Sequence, residues 1–144
     1  MPLPRSKTLA TWLALAGGAL GLHRFYLYGA RDLLAWLHPL PTLAGLLGVL
    51  RVRELGQDDR LAWVLLPLLG LMLSVGLITA IVYGLTPDAR WAARHGAGQP
   101  PRATGWGPVL GVMLALLLAG IVVMSTIAFA FQKFFEWQGG SLPT

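Results

Sequence analysis

Histidine and acidic side chains are the residues of this 144-residue chain that could do chemistry. The three histidines, His23, His38 and His95, do not stand at metal-ligand spacing from one another or from a carboxylate within a helix. The chain has no cysteine, which excludes disulfides and thiolate metal sites. The adjacent pair Asp58-Asp59 is more typical of a helix cap than of acid–base chemistry. Because no P-loop, HExxH or nucleophile elbow occurs either, we expect no catalytic residue, no metal site and no cofactor.

The composition points to a lipid environment. Hydrophobic residues make up 56% of the chain and charged residues 12%, whereas a soluble domain carries about 25% charged residues. These values exclude a soluble globular monomer and also intrinsic disorder. The net charge of +5 is carried mostly in short connections between apolar runs, where anionic headgroups are nearer partners than nucleic acid. We therefore expect the lipid bilayer as a partner and no nucleic acid.

Four stretches without a charged residue divide the chain: residues 8–22, 33–50, 61–85 and 107–131. A bilayer core of roughly 30 Å needs about 20 helical residues, so the last two are long enough and the first two are short. The stretches do not alternate as barrel strands do, and an unpaired backbone in lipid is costly, so they must be helices. The sequence predicts an all-α, polytopic integral membrane protein with four membrane segments.

The first two segments are irregular. Ala14-Leu15-Ala16 resembles a signal-peptidase site, but the apolar run continues to Leu22, which favours a retained membrane helix. In the second segment, Pro39 and Pro41 remove helix hydrogen bonds and restrict the residues before them. This pattern predicts a short helix over residues 31–37, a break, and a second helix over residues 42–52 capped by Thr42.

Small residues at four-residue spacing mark the faces on which helices pack. One set stands in the third segment and another in the fourth: Gly76, Ala80 and Gly84, and Gly107 and Gly111. Small side chains at this spacing let helix backbones approach closely. We predict that the Gly76 stripe faces another helix, with the fourth segment as the favoured partner. Neither segment contains an acidic residue, which argues against an ion-coupled transporter.

The most specific local signal is the stretch GALGLHRFYLYG, residues 18–29. It resembles the TM2 domain family, whose hallmark is a Gly-rich helix running into G-x-H/D-R-F-Y-L-G, followed by a short second helix. The residues that carry the resemblance are Gly18, Gly21, His23, Arg24, Phe25, Tyr26, Leu27 and, displaced by one position, Gly29. The resemblance covers residues 7–55 and implies a short two-helix hairpin.

One position departs from the family pattern. The family has an aspartate near the end of its second helix, where this chain has Arg51. An arginine–aspartate pair with Arg24 inside the hairpin would therefore need Asp32 or Glu54. We expect Arg24 at or just below a membrane interface, against headgroups, carbonyls or an acidic partner, because a charge at the bilayer centre is expensive.

These observations predict a TM2-like hairpin over residues 1–60 and a second transmembrane hairpin over residues 61–144. TM2 proteins have no established enzymatic reaction, and the Ala-, Leu-, Gly- and Arg-rich composition is typical of bacterial proteins. We expect a non-enzymatic protein of the bacterial inner membrane that acts through helix–helix interactions, as a homo-oligomer or as a small subunit of a membrane assembly. With four segments, lysine and arginine divide six against five between the two sides, which sets no orientation.

Two alternatives remain open at the level of sequence. A small channel or transporter would need its few polar residues to face a lumen: Ser74, Thr79, Ser125 and Thr126. A membrane enzyme acting near lipid headgroups would need His23, Arg24 and His38 to cluster around a polar pocket.

Overall fold

The computed structural model describes residues 3–139, and these residues form helices and no strand. The elements are α1 (Lys7–Gly17), a 3-10 turn (Gly18–Leu20), α2 (Leu22–Tyr28), α3 (Leu33–Leu37), α4 (Pro39–Leu55), α5 (Arg60–Leu85), α6 (Asp88–His95) and α7 (Gly107–Gly139). Three described stretches are long and apolar enough to cross a membrane: Leu33–Leu55, Arg60–Leu85 and Gly107–Gly139. The all-helical class is confirmed, with three such helices where four segments were expected.

Helix α5 stands at the centre of the bundle. It packs against α4 on one flank and against α7 and α1 on the other, and α1 also contacts α7. The core where α1, α5 and α7 meet is built mostly of alanine: Ala14, Leu77, Ala80, Ala115 and Ala119. Small side chains let helix backbones approach closely. In a lipid environment, where the hydrophobic effect does not draw helices together, such van der Waals contact supplies the attraction between them.

The chain reverses direction at Gly21, directly after the 3-10 turn. Gly21 has φ +76°, a left-handed conformation that favours glycine, and a Cβ there would lie 2.9 Å from the carbonyl oxygen of Ala35. Helix α2 then returns toward the start of α1, where the backbone N–H of Ser6 donates to the Tyr26 hydroxyl over 2.8 Å. The α1–α2 pair therefore enters the bundle and leaves it at the same end.

Cross-chain contacts define the two ends of the bundle. At the Lys7 end (residues 3–7, 24–32 and 86–106), the Arg5 N–H donates to the carbonyl of His95 over 2.9 Å. At the Asp59 end (residues 51–60 and 133–139), Lys133 Nζ lies 4.8 Å from the centroid of the Trp63 ring. The α3–α4 stretch, α5 and α7 run from one end to the other. Helix α1, at 11 residues, is only about 16 Å long and does not.

The Gly76 stripe faces two partners. The prediction that the fourth segment is its favoured partner was wrong at Gly76. This glycine meets the 3-10 turn of the first segment, where a Cβ on Gly76 would lie 2.8 Å from Gly18 Cα. Ala80 is fully buried in the alanine core. A Cβ on Gly84 would lie 3.1 Å from the carbonyl oxygen of Pro108, so this end of the stripe does face α7.

Two glycines near the start of α7 face α1. A Cβ on Gly107 would lie 2.7 Å from Thr8 Cγ2, and one on Gly111 would lie 2.9 Å from Thr11 Cγ2. The fourth segment therefore presents these two glycines to the first, and the third presents its own stripe to both. Because the third and fourth segments share the first segment as a partner, the small-residue stripe of the third did not by itself identify the helix that it faces.

The second segment has the predicted break, although the second helix begins at Pro39 and not at Thr42. Pro39 suits the first turn of a helix, where its missing N–H has no partner to lose. His38 keeps helical dihedral angles, φ −60° and ψ −44°, so the hydrogen-bond ladder is interrupted while the axis continues. Thr42 does not cap the helix; its hydroxyl lies 2.5 Å from the Ala19 carbonyl oxygen and 3.0 Å from that of His38.

Two glycine-to-alanine substitutions test the close approach of the 3-10 turn to α5. A methyl at Gly76 would meet backbone atoms that cannot rotate away, so we expect Gly76→Ala to lower stability by about 1–3 kcal/mol. In Gly120→Ala, the methyl meets nothing within 4 Å, and we expect a gain of about 0.5–1 kcal/mol from helix propensity. Thermal unfolding of both variants in one detergent measures the difference. Equal unfolding temperatures for Gly76→Ala and the wild type would contradict the contact.

Candidate functional site

The ion pair between Arg24 and Asp32 joins α2 to α3 at the Lys7 end. Asp32 caps α3, because its side chain accepts from the Leu34 N–H over 3.3 Å. Arg24 Nε donates to the other carboxylate oxygen of Asp32 over 2.7 Å. The sequence left Asp32 and Glu54 open as partners, and the structure selects Asp32. The contact is made through one nitrogen, and Arg24 also lies over the Tyr28 ring, with Cζ 5.1 Å from its centroid.

The pair fixes the charge of both side chains. Hydrogen bonding to Arg24 lowers the pKa of the Asp32 carboxyl, and the same bond raises the pKa of the Arg24 guanidinium. Both groups therefore stay charged across the physiological range. As the pH falls through the lowered pKa of Asp32, the contribution of this pair to stability is lost.

His23 is a buried residue of the motif, and one nitrogen of its ring has no hydrogen bond. Its residue surface is 2% exposed, and Nδ1 has no partner among the described residues. Burial, together with the nearby His38 and Arg24, lowers the pKa of His23 to about 4. The imidazole is therefore neutral in the folded protein at neutral pH.

His38 lies beside His23, with the ring centroids 5.7 Å apart, and Tyr83 lies on another side at 5.8 Å. His38 Nδ1 is 2.7 Å from the carbonyl oxygen of Leu34. Because a carbonyl only accepts, Nδ1 carries a proton in this contact. The structure thus brings His23 and His38 together, while Arg24 is paired with Asp32.

The remaining motif residues hold the hairpin together. Phe25 packs edge-on against Trp36 of α3, with the centroids 5.1 Å apart. Tyr26 is hydrogen-bonded to Ser6, as described above. Gly29 ends α2 at φ +81° and donates its N–H to the Phe25 carbonyl over 2.9 Å. These positions therefore have packing and hydrogen-bonding roles that explain their residue types.

A second arginine–aspartate pair repeats this arrangement at the Asp59 end. Arg51 donates to Asp59 through Nε over 2.6 Å and through Nη2 over 3.0 Å. Asp59 also caps α5, accepting from the Ala62 N–H over 3.2 Å. The expectation that the Asp58-Asp59 pair caps the following helix is met by Asp59. In both pairs the arginine lies four residues before the last residue of one helix, and the aspartate caps the next helix.

The signal for this second pair was present in the sequence as an internal repeat of 27 residues, which our sequence analysis missed. At that offset five positions with structural roles coincide: Arg24 with Arg51, Gly29 with Gly56, Asp32 with Asp59, Ala35 with Ala62 and Trp36 with Trp63. The two tryptophans play equivalent parts, since each indole N–H donates to a carbonyl six residues earlier, Ala30 at 2.9 Å and Gln57 at 2.7 Å. An offset comparison of the chain with itself would have predicted both pairs.

Three of the four polar residues that a channel would need are engaged with their own helices. Ser74, Thr79 and Thr126 each donate to the carbonyl four residues earlier, over 2.7 Å. The methyl and hydroxyl of Thr126 also pack against Gly70 of α5. The fourth, Ser125, lies at an exposed position of α7.

A third network ties the N-terminal segment to α6 at the Lys7 end. Lys7 Nζ donates to the Asp88 carboxylate and, over 3.0 Å, to the Thr86 carbonyl. Asp88 accepts from the Thr104 hydroxyl over 2.8 Å, and the Trp91 indole donates to the Arg5 carbonyl over 2.8 Å. Hydrogen bonds from Lys7 and Thr104 lower the pKa of the Asp88 carboxyl. This network therefore holds the start of α6 against the N-terminal segment.

No family model, curated protein or solved structure matches this chain. The resemblance to the TM2 domain family therefore rests on the motif residues alone and stays a prediction.

Two aspartate substitutions test the helix-capping pairs. Asp59→Ala removes both the cap of α5 and the partner of Arg51, and loss of a cap alone costs about 0.5–2 kcal/mol. Asp58→Ala removes the same charge from the neighbouring exposed position and should leave stability nearly unchanged. Thermal unfolding in detergent measures both. If Asp58→Ala lowers the unfolding temperature as much as Asp59→Ala does, the effect is one of loop charge and the pair has no special role.

Proposed function

We propose that this protein is a non-enzymatic protein of the bacterial inner membrane that acts through helix–helix interactions, as a homo-oligomer or as a small subunit of a membrane assembly. Supporting this is the exposure of α7, which is 33 residues long. Only 17% of its most apolar stretch is buried within the chain, compared with 28% for α5. The outer face of α7 is large, apolar and continuous.

The two ends of the bundle support a definite orientation under three crossings. Seven lysines and arginines belong to the Lys7 end and four to the Asp59 end, whereas the four-segment arrangement divided them six against five. Under the positive-inside rule, this bias favours the Lys7 end on the cytoplasmic side. In this arrangement the α1–α2 pair dips into the bilayer from the cytoplasm and returns, with α1 and the 3-10 turn packed against α5 and with α1 packed against α7, since irregular backbone at membrane depth must be covered by protein.

An enzyme acting near lipid headgroups is the second candidate, and the contact between His23 and His38 is the observation that favours it. His23 Nδ1 is buried and unpartnered, while His38 is partly exposed. This candidate predicts that a folded His23→Leu variant keeps its oligomer or complex but loses a headgroup-modifying activity. That result would favour this candidate over the first.

A single-cysteine series tests the proposed arrangement, because the natural chain has no cysteine. Leu3→Cys and Gln99→Cys stand at exposed positions of the Lys7 end, and Gln57→Cys stands at the Asp59 end. With three crossings, a membrane-impermeant maleimide should label the first two from one side and Gln57→Cys from the other. Labelling of Leu3→Cys and Gln99→Cys from opposite sides would restore the four-segment arrangement.

The same series tests the helix-packing role. Leu117→Cys lies on the outer face of α7, 63% exposed, and Leu43→Cys lies on the outer face of α4, 57% exposed. Oxidation in native membranes should cross-link Leu117→Cys to a second copy or to a specific partner protein, and should leave Leu43→Cys monomeric. Failure of Leu117→Cys to form any cross-link, or equal cross-linking at both positions, would contradict a role for the α7 face.

A further inference from the structure

A cavity opens at the Lys7 end between the N-terminal segment and the connection from α6 to α7. Its volume is about 230 Å³. Arg5, Ser6 and Lys7 form one wall, and Trp91, Arg102 and Thr104 belong to the other walls. The hydrogen bonds from Trp91 to Arg5 and from Thr104 to Asp88 fix these walls relative to one another.

The charges in the cavity do not balance. The Lys7 ammonium, with its side chain 7% exposed, is neutralised by Asp88, and Asp88 is engaged further by Thr104. Arg5 and Arg102 have no carboxylate partner among residues 3–139. Arg5 is held in place, since its Cζ lies 5.2 Å from the centroid of the Tyr26 ring. Two arginines without a carboxylate partner therefore line the cavity.

The whole net charge of the protein belongs to this end. Its seven lysines and arginines exceed its two acids, Asp32 and Asp88, by five. At the Asp59 end four basic residues meet four acids: Glu54, Asp58, Asp59 and Glu136. The cavity adjoins Thr86, just past the end of α5, and the start of α7 at Gly107, which is the level of the lipid headgroups if these helices span a bilayer. Guanidinium groups bind phosphate oxygens through paired N–H donors.

From this geometry we propose that the cavity binds a phosphate group, carried by an anionic lipid headgroup or free in solution, with Arg5 and Arg102 as its main ligands. The Ser6 hydroxyl, which accepts from the Leu9 N–H, is a further donor at its wall. The site rests on the membrane location in the proposed function and is independent of the role of the α7 face. Lys7 serves as a positioning residue, because its pairing with Asp88 holds the two walls together.

Native mass spectrometry of the purified full chain in detergent tests the site. The probes are phosphatidylglycerol, phosphatidylcholine and inorganic phosphate, each added to delipidated protein. We expect one tightly retained phosphatidylglycerol and no retained phosphatidylcholine. A cation near an anionic lipid surface strengthens binding about fivefold, so the double variant Arg5→Ala/Arg102→Ala should weaken retention about 25-fold.

The matched control is Arg53→Ala/Arg60→Ala, which removes two exposed cations from the Asp59 end. It should retain the lipid as the wild type does, and the unfolding temperatures of both double variants should match that of the wild type. Displacement of the lipid by inorganic phosphate identifies the phosphate group as the part recognised, and binding of inorganic phosphate without any lipid assigns the site to the free anion. Equal retention of phosphatidylcholine, or equal losses in the two double variants, would overturn the proposal. The cross-linking of Leu117→Cys reads out the α7 face separately.

Discussion

The close approach of Gly18 to Gly76 is the contact on which the arrangement of the chain depends. Two glycines meet backbone to backbone, and neither position has room for a methyl group. This approach lets the 3-10 turn lie against the middle of α5, and the left-handed conformation of Gly21 then sends α2 back the way α1 came. Without both features, the first apolar run would continue past α5 and the N-terminal segment would separate from α6.

The reversal decides where the charges are placed. Because α1 and α2 begin and end at the same end of the bundle, Arg5, Lys7, Arg24 and Arg31 join the three arginines of the long connection after α5. The two acids at this end are Asp32, which caps α3, and Asp88, which is the first residue of α6. Each of them pairs with a cation. One end of the protein is therefore strongly basic and the other neutral.

Charged side chains in this protein serve mainly to fix the directions in which helices leave one another. Arg24 with Asp32 and Arg51 with Asp59 each join the end of one helix to the cap of the next across a glycine with positive φ. A capping aspartate already accepts a hydrogen bond from the backbone, so the orientation of its side chain does not depend on the arginine. The pair costs less ordering entropy than a free surface ion pair, which explains its use at two successive helix junctions.

The sequence by itself determined the helical class, the apolar stretches and the break before Pro39. Composition and backbone hydrogen bonding are local properties, and a bilayer leaves a long apolar run no alternative to a helix. Motif residues at 18–29 were also identifiable, although their roles in holding a hairpin were not. Tertiary structure alone decided that the first run returns, that Gly76 meets Gly18, and that Asp32 is the partner of Arg24. A 15-residue run is too short to specify whether it crosses or turns back, and a small-residue stripe specifies a close contact without specifying the neighbour. Those choices depend on which surfaces fit one another across the chain, and no local pattern contains that information.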